Sequence, residues 1–244
     1  MVDLQLMPKL DLHCHLEGAF RTTTLYALYQ QQSSFKDNGF ADFKGRVSLG
    51  GQSASTDVWF EKFFMSVKAI TKQEHLVQLT TDCIEDAYQD GIIYREIRYA
   101  PYFIHDLTGL AIEAIIEAVI EGNRQGQEKF PVKTELILIA QQPDGLAKAE
   151  HIVQLAHRYQ HVGVDIASLI NEPPLEIYRP AMQKAKELGL HITIHAGEFQ
   201  GADSVRTALI DLGAERIGHG IHFEVAILLL DHLQDCLILY RANP

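Results

Sequence analysis

Three short strand-like segments in this sequence each end in a histidine. Leu10 to Leu12 leads into His13-Cys14-His15, Ile192 to Ile194 into His195-Ala196-Gly197-Glu198, and Arg216-Ile217 into Gly218-His219-Gly220. Side chains two apart on a strand share a face, so His13 and His15 can hold one ion while Cys14 points the other way. His195 offers a further imidazole, with a carboxylate three residues on and a glycine between them that permits a sharp turn. Three imidazoles around Zn²⁺ leave a position open, where a water becomes acidic near a pH of about 7. Glu198 is then placed to pass a proton to a ring nitrogen as general acid, or, as a plainer reading, to sit at a helix N-terminus as a dipole-stabilised carboxylate. His219, bracketed by glycines, is either a base for that water or a histidine in a turn. Most of the other histidines, of twelve in all, need no chemical role. His75, His105, His151, His157, His161 and His232 read as solvated or capping, His191 as structural, and His222 as a loop residue.

The elements that must carry these groups alternate. Strands are expected at Leu10 to His15, Ile92 to Tyr99, Lys133 to Ala140, Val162 to Ala167, His191 to His195, Arg216 to Gly218 and Cys236 to Tyr240. Helices are expected at Arg21 to Gln32, Val58 to Ile70, Glu74 to Gln89, Gly109 to Gly126, Leu146 to Tyr159, Pro174 to Leu188, Asp203 to Leu212 and Glu224 to Gln234. Leu76, Leu79, Cys83 and Ala87 share one helical face, as do Ile112, Ile115, Ile116 and Val119. Phe35 to Thr56, rich in glycine, serine and charge, reads as a loop insertion. Apolar strands between amphipathic helices imply a parallel sheet covered by helices. No Gly-x-Gly-x-x-Gly or phosphate loop favours an open nucleotide-binding sheet. Histidines at several strand ends match the layout of a hydrolase on a (β/α)8 TIM-type barrel. The expectation is one α/β barrel domain over residues 1–244, incomplete at about seven strands, with the eighth and the rest of the C-terminal part lacking.

Composition narrows the partners. The 244 residues are 47% hydrophobic and 22% charged, with a formal net charge of −11, which repels a phosphate backbone and argues against nucleic acid. No apolar run reaches the roughly 18 residues of a membrane span, and the first residues lack the apolar core of a signal peptide. Cys14, Cys83 and Cys236 make no disulfide framework. A cytoplasmic protein is expected.

Longer segments carry a resemblance. Met7-Pro-Lys-Leu-Asp-Leu-His-Cys-His-Leu-Glu-Gly-Ala19, Gly91-Ile-Ile-Tyr-Arg-Glu-Ile-Arg-Tyr-Ala-Pro101, His191-Ile-Thr-Ile-His-Ala-Gly-Glu198 and Glu215-Arg-Ile-Gly-His-Gly-Ile-His222 together resemble the adenosine/adenine deaminase family of metal-dependent amidohydrolases. The resemblance implies zinc-dependent hydrolytic deamination of a purine at C6, with release of ammonia and a place in purine salvage. It implies that His13, His15 and His195 ligate one Zn²⁺ per chain, that Glu198 protonates the purine ring, and that His219 orients or deprotonates the attacking hydroxide. It further implies that His15, Glu17 and Ser168 meet a purine nucleoside or base.

Three positions depart from the family pattern. Glu17 stands where adenosine deaminases usually carry an aspartate facing the ribose, and glutamate there also appears in relatives acting on free adenine. Ser168 stands where a glycine usually meets the purine through its backbone. From about Cys236 onward the pattern is lost, and no Asp-Asp pair exists, whereas the family's eighth strand carries one whose members bind zinc and purine. Asp231 and Asp235 lie on an expected helix and do not replace it. The expectation is adenosine deamination, impaired by the missing carboxylates, since a general base contributes roughly 10²–10⁴-fold. The alternatives are an adenine or other aminopurine deaminase, and a catalytically dead remnant that binds purine or zinc.

Overall fold

The computed structural model describes residues 7–32, 36, 39–51, 55–167 and 173–221 of the chain. It resolves into two compact units, Met1–Thr134 and Glu135–Pro244. The fold class is α/β, an incomplete (β/α)8-type barrel with six parallel strands among the described residues. The expected helix Glu224 to Gln234, the seventh strand Cys236 to Tyr240, and Ser168 lie outside the described residues.

In the first unit, β1 (Lys9–His15) pairs in parallel with β2 (Ile92–Tyr99). Between them come α1 (Thr22–Gln30), α2 (Phe40–Val47), α3 (Thr56–Val67) and α4 (Gln73–Gln89). After β2 follow α5 (Pro101–Thr108) and α6 (Ile112–Lys129). The face Leu76, Leu79, Cys83 and Ala87 of α4 is fully buried, and Ile115, Ile116 and Val119 of α6 are equally inaccessible. The two helices cross closely at glycines. A Cβ on Gly122 would stand 2.5 Å from the Val77 carbonyl oxygen, and one on Gly126 would stand 2.4 Å from Ile84 Cδ1. Arg21, at the N-terminus of α1, ties that helix to α4 through Asp86 at 2.6 Å and Glu85 at 2.8 Å. Thr24 donates to Asp82 at 2.5 Å on the same seam.

Two expectations are corrected in this unit. The segment read as a loop insertion contains α2. Phe40, Phe43 and Val47 recur at helical spacing there, and Phe43 is buried against Tyr26 and Tyr29. Glycine and charge hid this one-sided helix, which needs few apolar residues because it covers a single aromatic cluster. The helix expected over Gly109 to Gly126 is α6, and it is preceded by α5, a helix the sequence reading did not expect. Pro101 opens α5 at a position where its missing N–H costs nothing, and Gly109 closes it in the left-handed region at φ 75° before α6 begins at Ile112.

In the second unit, β3 (Lys133–Gln141), β4 (Gly163–Ala167), β5 (His191–Ala196) and β6 (Arg216–His219) are parallel neighbours in that order. Helices α7 (Gly145–Arg158), α8 (Arg179–Glu187) and α9 (Ala202–Arg206) connect them. The expected helix from Pro174 begins as a 3-10 turn at Leu175–Tyr178, and that from Asp203 ends as a π turn at Thr207–Asp211. Ile137 to Ala140, Val164, Ile166, Ile192, Ile194 and Ile217 form the strand core. Helix α7 ends with Gln160 in the left-handed region at φ 56°, and the His161 N–H reaches back to the Ala156 carbonyl at 2.9 Å. This is a six-to-one closure usually built on glycine. Contrary to a solvated reading, the His161 side chain is buried, 5% exposed. His75 does cap its helix, accepting from the Thr71 N–H at 3.3 Å, but it too is buried.

Candidate active site

In the first unit the site residues sit at the carboxyl end of β1. His13 and His15 share a face, and their Nε2 atoms lie 3.2 Å apart with ring centroids 5.2 Å apart. Two donors at zinc-bonding distance from one tetrahedral ion stand about 3.3 Å apart, so the pair fits a shared metal. Strict alternation alone would place Asp11 on that same face. The register instead gains a residue in β1 between Asp11, opposite Arg95, and Cys14, opposite Ile97. This bulge re-aims the strand and leaves Asp11 on the side of Cys14. There Arg95 bridges Asp11 at 3.2 Å and the Cys83 carbonyl at 2.9 Å, and the Cys14 and Cys83 thiols hydrogen-bond to each other. The face carrying the two imidazoles is thereby cleared of a carboxylate.

Glu17 follows in the 3-10 turn Leu16–Gly18 and is turned into the protein, 1% exposed. One oxygen accepts from the Ala100 N–H at 2.7 Å; the other is buried without a partner among the described residues. Burial pushes its carboxyl up to about 7, against the pull of the Ala100 N–H.

In the second unit β4, β5 and β6 bring Asp165, His195, Glu198 and His219 together. His195 is 3% exposed, and its Nδ1 lies 3.0 Å from the wholly buried Asp165 carboxylate. That contact fixes the ring and its tautomer, leaving Nε2 as the nitrogen for a metal, an arrangement typical of metal-ligating histidines. Glu198 Oε2 lies 3.3 Å from His219 Nε2, and the His195 and His219 rings are 5.1 Å apart. Burial raises the Glu198 pKa, the His195 charge opposes that rise, and Asp165 adds to it. A carboxyl so placed keeps its proton more readily than an exposed one and can give it up as an acid. His219 itself stands in the left-handed region at φ 73°, with Gly220 at φ 64°. Left-handed backbone is costly for a histidine and marks a residue held by its surroundings.

Sequence reasoning named His13, His15, Glu17, His195, Glu198 and His219. It passed over Asp165, although the signal was present. An aspartate inside an otherwise apolar buried strand must find a partner, because burying an unpaired charge is prohibitive.

Comparison with known proteins gives the family. The family model described as Adenosine deaminase matches residues 8–241. The adenosine deaminase of Clostridium kluyveri is 33% identical over 223 residues, covering 90% of this chain and 64% of that protein. The adenosine deaminase of Clostridium acetobutylicum is 33% identical over 218 residues, covering 88% and 65%. The chain thus spans just under two thirds of these curated relatives. Among solved structures, an amidohydrolase from Burkholderia ambifaria with bound zinc superposes with a TM-score of 0.82 at 24% identity, covering 93% of this chain and 62% of that one. The N6-methyl-AMP deaminase of Arabidopsis thaliana gives 0.78 at 26% identity, covering 95% and 69%. By the span of the family match and by these relatives, the chain belongs to the adenosine deaminase family.

Proposed function

We propose that the chain forms a single deaminase barrel domain that hydrolyses the C6 amino group of a purine, adenosine first, yielding inosine and ammonia with one zinc ion as cofactor. The observation that carries this reading is the placing of a half-buried carboxyl, Glu198, 3.3 Å from the His219 imidazole on neighbouring strand ends. His13 and His15 in the first unit and His195 in the second would hold the zinc, with Asp165 orienting His195. Zinc, when bound, supplies the Lewis acidity that makes a water reactive near neutral pH. Glu198 holds a proton and delivers it to a ring nitrogen of the purine, so that attack at C6 does not build up charge on the ring. His219 takes the proton of the attacking water at Nε2 and hands a proton on to the departing amine. The Glu17 carboxyl, anchored by the Ala100 N–H, and Ser168 meet the substrate.

A second reading keeps the chemistry and changes the substrate to adenine or another aminopurine. It is favoured by Glu17, which stands where adenosine deaminases usually carry an aspartate facing the ribose. A third, a remnant that binds zinc or purine without turnover, is motivated by the absence of any Asp-Asp pair in these residues.

Ammonia release from adenosine and from adenine, on metal-analysed full chain, tests all three. Turnover is expected on one substrate. In Glu198→Gln it should fall by at least roughly 10²-fold while zinc content is unchanged. The faster substrate decides between the first two readings. A folded, zinc-loaded chain that releases ammonia from neither sinks both and leaves the remnant.

A further inference from the structure

The turn that carries Glu198 is closed by one hydroxyl. Glu198 lies in the bend between the end of β5 at Ala196 and Gly201, which precedes α9. The Ser204 hydroxyl, 7% exposed on α9, spans that bend. It accepts from the Gly197 N–H at 2.8 Å and donates to the Gly201 carbonyl at 2.7 Å, a carbonyl that also receives the Ser204 N–H at 3.0 Å. The residues on either side of Glu198 and its loop are therefore tied to the same oxygen.

The rest of the turn has little room to relax in place. Gly197 has φ 66°, and a Cβ there would stand 2.8 Å from Val205 Cγ2 and 3.2 Å from Gly220 Cα. Gly220 in turn donates to the Ala196 carbonyl at 2.9 Å. His219 is thus latched to β5 through its neighbour, and Glu198 is latched to α9 through Gly197 and Gly201. The separation of the two side chains depends on both latches. The first is an ordinary backbone bond continuing the sheet. The second has no backbone substitute, because the N–H of a left-handed glycine beyond the strand end has left the ladder.

We propose that Ser204 is a positioning residue, whose hydroxyl sets the place of the Glu198 carboxyl against His219 by stapling both ends of the Glu198 turn. Its catalytic consequence rests on the deaminase reading above; the staple itself does not. Without the hydroxyl, the buried Gly197 N–H loses its acceptor and the turn is free to shift by fractions of an ångström. A misplacement of about 1 Å can cost on the order of 10²-fold in rate.

The test combines amide exchange with kinetics on the full chain. In Ser204→Ala, exchange at the Gly197 amide should quicken by at least about tenfold, while Ile192 to Ile194 in β5 keep their protection. kcat should fall by about 10–100-fold with KM within about threefold, and zinc content should not change. Ser204→Thr, which keeps the hydroxyl, should restore both the exchange rate and kcat. Combined with Glu198→Gln, Ser204→Ala should cost nothing further, because a mispositioned acid that has already been removed cannot be lost twice. If Ser204→Ala does not fold, Ser204→Cys keeps the volume with a much weaker hydrogen-bonding group and should shift the same observables in the same direction. The proposal is overturned by an unchanged Gly197 exchange rate, by a loss of protection spread evenly over β5 and α9, or by additivity with Glu198→Gln. If the parent chain shows no turnover at all, the deaminase reading fails, and the Gly197 amide alone then decides for or against the staple.

Discussion

At the scale of single residues, the site depends as much on groups that aim a side chain as on the side chain aimed. His195 is the clearest instance. Its Nδ1 faces the wholly buried Asp165 at 3.0 Å, which commits the ring to one tautomer and one direction. Replacing Asp165 by asparagine keeps the shape and an acceptor oxygen but removes the charge that makes His195 a better donor. Zinc affinity should fall by roughly 10–100-fold, read by competition against a chromogenic chelator, with the far-UV spectrum unchanged. An affinity equal to that of the parent would show that His195 is not a ligand or that Asp165 does not support it. The histidines themselves were legible in the sequence, because strand alternation places His13 beside His15 whatever the rest of the fold does. What alternation could not show is the bulge between Asp11 and Cys14, which removes Asp11 from the histidine face. Nor could spacing reveal the left-handed backbone of His219, since the glycines around it announce freedom without saying which residue uses it.

At the scale of elements, the strands and the long helices were legible because their periods are long and their ends are marked by glycine and proline. The short elements were not. Helix α2 buries only Phe43 of its eight residues, and α5 is fixed chiefly by its caps. The end of α7 shows a different limit. Gln160 occupies the left-handed closing position that glycine fills after α4, α5 and α8, and the residue behind it, His161, turns inward instead of into water. Burial pushes the His161 imidazole down to about 4, against about 6.5 in an unfolded chain. Between those two values the unfolded chain binds a proton that the folded one refuses. This contribution therefore leaves stability intact above about pH 6.5 and erodes it as pH falls toward 4, by on the order of 3 kcal/mol in full. His161→Gln, which does not titrate, should flatten that part of the profile. Urea melts of both proteins at pH 7, 5.5 and 4.5 would show it, and identical slopes would mean that His161 is charged in the fold.

At the scale of the whole molecule, six of the seven strands read from the sequence are parallel neighbours among the described residues, and no helix among those residues is long and apolar enough to cross a membrane. The pairing within each unit also has a consequence in time. In the first unit Lys9 lies opposite Ile92, 83 residues later; in the second Val164 lies opposite Ile192, only 28 later. Closing the longer span costs about 1 kcal/mol more in chain entropy before any contact is gained, and pairings between distant segments form more slowly. During refolding, then, β4 and β5 should acquire protected amides before β1 does, an order that pulsed hydrogen exchange would reveal or refute. The strand bearing His13 and His15 is accordingly a late arrival, and a metal ion that waits for that pair meets a chain whose other half has already taken shape.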